Sequence, residues 1–278
     1  YVLNTVEIWD LESSKVTHTV SLQNETITNI EMLLNGKQAY VFSTVKIKGS
    51  MHGIDHAMLH LIDIETGLEA KTFTGGNPIA ATPDGKVVVS AYTIDEQGRR
   101  CTSCTYPHSE FIFWDMEHDQ ELPGLSGVKT EHITFLSISA DGKQVISGNK
   151  TGRKIKVWDS ASGEQVHTIE GMSGMNSLVF SPCSRYILSD SDRYRMNVWD
   201  LENGTTAHSL DCPVPRSVFA IQQGNRIAVQ SMDGALYLWD LLAFEKEPRS
   251  FAASDSAETF RFSISPDGKT LFIFFRSQ

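Results

Sequence analysis

The sequence predicts an all-β protein made of four-stranded antiparallel sheets arranged as blades around an axis. Three observations predict it. Short alternating apolar runs end in an aromatic-acid pair at Trp9-Asp10, Trp114-Asp115, Trp158-Asp159, Trp199-Asp200 and Trp239-Asp240, with Ile62-Asp63 in the same place. These landmarks recur at steps of 53, 52, 44, 41 and 40 residues, and the last three steps match the length of a four-stranded propeller blade. Two further turns recur in register with them. Asn35-Gly36, Asp84-Gly85, Asp141-Gly142 and Asp267-Gly268, each followed by Lys, lie between apolar runs and signal tight hairpins, because both central residues tolerate positive φ.

The elements follow in order within each unit. A first strand runs to the Asp-Gly turn, or to its replacements "SPCSR" (181–185) and "QQGNR" (222–226), and a second strand leaves it. A connection of variable length leads to a third strand ending in Trp-Asp. A turn such as "DIETG", "DSASG" or "DLENG" then closes on Gly67, Gly163 or Gly204, where the leading Asp can bond the turn's own backbone. Runs such as "NSLVF", "YILS" and "MNVWD" are apolar on both sides, so each sheet must be covered by neighbours on both faces. Radial closure meets that need, and the Trp is expected to fill the space between blades.

Complete blades are expected at about 24–74, 75–126, 127–171, 172–212 and 213–252. Residues 1–23 supply only a third and fourth strand, and 253–278 only a first and second. The two halves are complementary, so pairing Val6 to Trp9 with Leu271 to Phe275 would complete six blades. The chain also opens on Tyr1 inside a repeat, as a piece of a longer chain would.

"GKQVISGNKTGRKIKVWDSASGEQVHTIEG" and "SPCSRYILSDSDRYRMNVWDLENGTTAHSL" resemble the WD-repeat family of β-propellers, and weaker copies extend the resemblance over essentially the whole chain. The divergent blades are also similar to the WD-repeat region of large multidomain NACHT and WD-repeat proteins, although no phosphate-binding "GxxxxGK[ST]" occurs. One departure matters. The Gly-His pair common in the family is missing, with Gly171-Met172 nearest to it and His132 out of register, so the family's Asp, His, Ser/Thr and Trp hydrogen-bond network is not expected wholesale. The resemblance implies a single propeller domain over 1–278 that is a non-enzymatic scaffold or sensor module binding a protein or peptide.

Composition narrows the partners. The 278 residues are 40% hydrophobic and carry 24 Lys and Arg against 34 Asp and Glu, a net charge of −10, so phosphate backbones would be repelled and no nucleic-acid role is expected. No apolar run approaches the roughly 18 residues of a membrane span. Four irregularly placed cysteines suit a reducing compartment, and the expected setting is cytoplasmic.

The connections between second and third strands carry the candidate site. They are compact in later units but long in the first two, as "STVKIKGSMHGIDHAMLHLID" and "SAYTIDEQGRRCTSCTYPHSEFIFWD". Such loops on a rigid scaffold commonly hold function. They contain Lys46, Lys48, Arg99, Arg100, Lys150, Arg153, Lys154, Arg193 and Arg195 against six acids, leaving the loops net positive on a negative chain. This is either an ordinary solvated surface or a site for an acidic or phosphorylated partner. In the second case Lys150, Arg153, Lys154, Arg193, Tyr194, Arg195, Tyr106 and Met51 are the expected contacts.

Two chemical alternatives stand beside this. Cys101-x-x-Cys104 followed by His108, with His52 and His56 on the neighbouring insertion, has spacing that could hold zinc, whereas free thiols or a local disulfide explain it equally. No other cofactor is expected. Aligning units on the Asp-Gly turn places Glu31, Ala80, Ser137, Val179, Ala220 and Ser263 together near the channel. A hydrolase or lactonase-like propeller enzyme would work there, but it needs several carboxylates or imidazoles, and Glu31 is one.

Overall fold

The computed structural model describes residues 5–10, 15–45, 56–77, 79–98, 108–149, 154–170, 178–191, 195–211, 215–221, 226–231, 236–241, 243, 249–251, 261–264 and 271–274. All of its regular elements are strands. Five sheets form the complete blades. The first contains β3 (Glu25–Met32), β4 (Gln38–Val45), β5 (His56–Asp63) and β6 (Glu69–Gly75). The second contains β7 (Ile79–Ala81), β8 (Val87–Ile94), β9 (His108–Asp115), β10 (Gln120–Glu121) and β11 (Lys129–Glu131). In the third are β12 (Phe135–Ile138), β13 (Gln144–Gly148), β14 (Lys154–Asp159) and β15 (Gln165–Glu170). The fourth holds β16 (Leu178–Phe180), β17 (Tyr186–Ser191), β18 (Arg195–Asp200) and β19 (Thr205–Asp211). The fifth holds β20 (Pro215–Ile221), β21 (Arg226–Ser231), β22 (Leu236–Asp240) and β23 (Arg249–Phe251).

Strands within each blade pair antiparallel in chain order. Inner strands stand side by side, β12 between β7 and β16, and β16 beside β20. Each seam between the complete blades holds its own apolar core. Leu33, Tyr40 and Phe42 meet Val88 and Met116 between the first two blades. Phe111, Phe113 and Leu125 meet Ile138, Val145 and Trp158 at the next seam. Trp158 is the filler its periodicity implied, 5% exposed and edge-on to Phe111 of the neighbouring blade at 5.4 Å.

In the first four complete blades the Asp that ends the third strand organises the turn after it. Asp159 Oδ1 accepts the N–H of Ala161 and Ser162 at 3.1 and 2.8 Å, and Gly163, at φ 73°, returns its N–H to the Asp159 carbonyl at 2.9 Å. These bonds favour the ionised carboxyl. Thr66, His118 and Ser162 N–H groups are the leading cause holding Asp63, Asp115 and Asp159 below the usual carboxylate range, while Arg185 is the leading cause at Asp200.

The second blade departs from the expected boundary at 126/127. Its outer strand is split, β10 and β11 both pairing β9, so its sheet continues to Glu131. The segment 122–128 between them turns inward. Leu125 is fully buried and its N–H reaches the Ser160 carbonyl of the third blade at 3.1 Å. Gly124 is required there, because a Cβ would lie 2.3 Å from the Ala161 carbonyl oxygen.

The termini form two further two-stranded sheets, β1 (Thr5–Asp10) with β2 (Lys15–Ser21) and β24 (Arg261–Ile264) with β25 (Leu271–Phe274). The ladder expected between Val6 to Trp9 and Leu271 to Phe275 is not among the described strand pairs. Both half-blades nonetheless adjoin the first blade. Val6, Ile8 and Val20 cover Ile27, Val41 and Ile62, while β24 lies beside β3.

Candidate functional site

In every complete blade the second-to-third-strand connection leaves from the same end of the sheet. The pairs Val45 with His56, Ile94 with His108, Gly148 with Ile155 and Ser191 with Arg195 close those ends. Most of the connections themselves, and with them Met51, His52, Cys101, Cys104, Tyr106, Lys150, Arg153, Arg193 and Tyr194, lie outside the described residues. Four predicted site residues lie in strands. Arg195 opens β18 and His56 opens β5. His108 opens β9, exposed, opposite Glu131 of β11. Lys154 Nζ lies 3.0 Å from Glu170 of its own blade, and that carboxylate raises its pKa. His56 and His108 therefore belong to different sheets, and among the described residues no group of three or more His, Cys, Asp or Glu is arranged to hold a metal.

Nearby, Lys156 spans the seam between second and third blades. Its Nζ donates to Thr130 Oγ1 at 3.2 Å and to Glu131 Oε1 at 3.1 Å, and lies 5.9 Å from the centre of the Trp158 ring. The cations of this blade that the structure describes at this end thus already have acidic partners.

The channel residues align as their spacing required. Glu31, Ala80, Ser137, Val179, Ala220 and Ser263 each sit on an inner strand, opposite Tyr40, Val89, Ile146, Leu188, Ile227 and Phe272. Glu31 is half-buried. Burial pushes its carboxyl up to about 7, against the opposing effect of the Asn29 amide, which donates to Oε1 at 2.9 Å. Tyr40 beside it donates to the Gly85 carbonyl at 2.7 Å, and its hydroxyl is raised by burial, then by Asp84 and Glu31. Glu31 could exchange one proton near neutrality. None of the five aligned residues is a second carboxylate or an imidazole.

Spacing gave no sign of a second polar cluster in the first blade. His60, 3% exposed, has Glu25 Oε2 at 2.7 Å and Ser43 Oγ at 3.2 Å from Nε2, with Glu69 Oε2 and Thr72 Oγ1 each at 3.3 Å from Nδ1. Ser43, 1% exposed, also bonds Glu25. A hydroxyl, an imidazole and two carboxylates within reach of one another are the parts of an acid–base relay. Burial shuts the serine and imidazole off from any substrate, so the cluster ties all four strands of the blade together.

The sheets, the recurrent Trp-Asp ends and the turns they organise define a WD-repeat β-propeller protein. The chain carries WD40 repeats, and the family model described as WD domain, G-beta repeat, matches residues 125–159 and 163–200. It is 30% identical over 133 residues to pre-mRNA-splicing factor cwf17 of Schizosaccharomyces pombe, covering 47% of this chain and 38% of that protein. It is 32% identical over 81 residues to small ribosomal subunit protein RACK1z of Arabidopsis thaliana, covering 29% and 24%. A third relative is target of rapamycin complex subunit wat1 of Schizosaccharomyces pombe, 26% identical over 152 residues and covering 50% and 48%. The chain thus spans less than half the length of each of these relatives. Among solved structures, a chain in the crystal structure of a mitotic checkpoint complex matches 98% of this chain and 84% of its own length, with a TM-score of 0.65 and 16% identity, a likeness of fold alone.

Two blades keep one leg of the family network that the missing Gly-His pair put in question. Trp158 and Trp199 donate their indole N–H to Ser147 and Ser189 Oγ at 2.9 and 3.3 Å.

Proposed function

We propose that this chain is a non-enzymatic interaction scaffold or sensor module that holds a protein or peptide, acidic or phosphorylated, on the face of the second-to-third-strand connections, in a cytoplasmic setting. The observation that carries the reading is the common end from which those connections leave five rigid sheets, with the two longest on neighbouring blades. Two relatives are named as parts of assemblies, a small ribosomal subunit protein and a target of rapamycin complex subunit, which supports a scaffold. A place within a larger NACHT-type polypeptide rests on sequence resemblance alone.

The test immobilises the full chain and measures capture of matched unmodified, acidic and phosphorylated peptide libraries. Replacing 46–55 and 99–107 by short turns should abolish capture without moving the thermal midpoint. Capture that survives both replacements would overturn the assignment of the face.

A further inference from the structure

In three blades the turn after the third strand closes on glycine. Gly67, Gly163 and Gly204 each return an N–H to the carbonyl of the Asp four residues earlier at 2.9 Å. The second blade has Asp119 at that place, at φ 56°.

The substitution has a counterpart inside the blade. Ser90 stands where Ser147 and Ser189 stand in their blades, because Val88 faces Trp114 as Val145 faces Trp158 and Ile187 faces Trp199. Those two serines accept an indole N–H. Ser90 Oγ is fully buried and has no hydrogen-bond partner, alone in this among side-chain atoms of the described residues. An unpaired buried hydroxyl is a penalty that something else must outweigh.

Trp114 has gone elsewhere. Its ring lies 5.8 Å from Phe73, tilted by 49°, and the Asp119 carboxyl is held below the usual carboxylate range first by Lys71 and, more weakly, by the Trp114 indole. Asp119 Oδ1 is 2.9 Å from Lys71 Nζ, and Lys71 also donates to the Met116 carbonyl at 2.9 Å. Phe73 and Lys71 both belong to β6, the outer strand of the first blade, so the indole ring packs on the neighbouring blade and not on the Ser90 of its own.

We infer that Trp114 is a two-position latch at the seam between the first and second blades, resting outward on Phe73 and the Lys71–Asp119 pair or inward on Ser90. Asp119 in place of glycine selects the outward position. That seam joins the two blades with the long insertions, so parting β6 from the second blade releases the indole to the serine waiting for it.

Two measurements on the full chain test it, using Asp119→Gly, which restores the turn of the other blades. Ser90→Ala should raise the denaturant midpoint of the parent by removing an unpaired hydroxyl, and lower it in the Asp119→Gly background, where the serine has gained its indole. In nitrogen-15 spectra the Trp114 indole resonance, assigned with Trp114→Phe, should ignore Ser90→Ala in the parent, shift on Asp119→Gly, and respond to Ser90→Ala only there. A Ser90→Ala effect of the same sign in both backgrounds, or a Trp114 resonance indifferent to Ser90 in Asp119→Gly, would overturn the latch.

Discussion

Replacing Glu31 with Gln should stabilise the protein at alkaline pH and leave it nearly unchanged in mild acid. Burial raises the Glu31 pKa from 4.5 to about 7, above the value of the unfolded chain. A group of this kind contributes stability that is fully present below about pH 4.5 and is lost as the pH rises through about 7. At 1.36 kcal/mol per pKa unit the loss at pH 8 has a ceiling of about 3 kcal/mol. Partial solvent contact screens the charge, so about 2 kcal/mol is the working figure. Gln keeps the acceptor for Asn29 and the volume of the side chain but carries no charge to desolvate. Urea unfolding of parent and variant at pH 5 and pH 8 measures the effect. His132, whose pKa is lowered by burial, titrates in both proteins and cancels in the difference. A stability difference that is the same at the two pH values would refute the assignment of a desolvated carboxyl at this position.

Other outcomes follow from the seams and loops. Deleting residues 1–22 should lower the thermal midpoint and cost several kcal/mol, because Val6, Ile8 and Val20 cover the first blade and His18 Nε2 lies 2.8 Å from the Glu65 carbonyl; unchanged melting would dismiss a joined sixth blade. Leu125→Ala should cost about 2–5 kcal/mol by chemical denaturation, since it empties the plug between second and third blades. Reversing Arg153 and Arg193 to Glu should weaken peptide capture and remove its salt dependence without changing the melting curve, whereas salt-insensitive capture that survives both would shift the contact to Tyr106, Tyr194 and Met51. If Cys101 and Cys104 hold zinc, elemental analysis of protein purified under reducing conditions should return one metal per chain, lost in Cys101→Ser; metal-free protein would leave those residues as thiols or a disulfide.

The repeat was legible because each of its signals answers to a local physical need. A tight hairpin demands a residue that accepts positive φ, and Ser184 at φ 57° shows the demand persisting where "SPCSR" replaces Asp-Gly. Aligning on that turn placed six residues at one register position of six inner strands, which is why Glu31 could be picked out. Local signals say nothing of pairings between distant strands. The cluster around His60 draws on four strands from Glu25 to Thr72, and no spacing connects them. The continuation of the second blade to β11 was hidden by "LPGLSGV", which reads as a loop between blades and instead folds inward through Leu125.

Charge counting met the same limit at the candidate face. Lys154 is one of nine cations of the loops, whereas the acid that answers it, Glu170, lies on the outer strand of the same blade, outside those loops. Lys156, a strand residue outside the loops, reaches that end of the seam and pairs with Glu131 of the second blade. An anionic partner arriving there must displace Glu170 and Glu131 or bind beside them. Exposed pairs of this kind are weak because solvent screens them, so the exchange is open to a phosphate that can offer more than one oxygen. Glu170→Gln, which frees Lys154 without altering the strand, should therefore strengthen capture of a phosphorylated peptide several-fold and leave an unmodified one unaffected. Equal gains for both peptides would mean that general repulsion by the negative chain, and not competition for Lys154, sets the affinity.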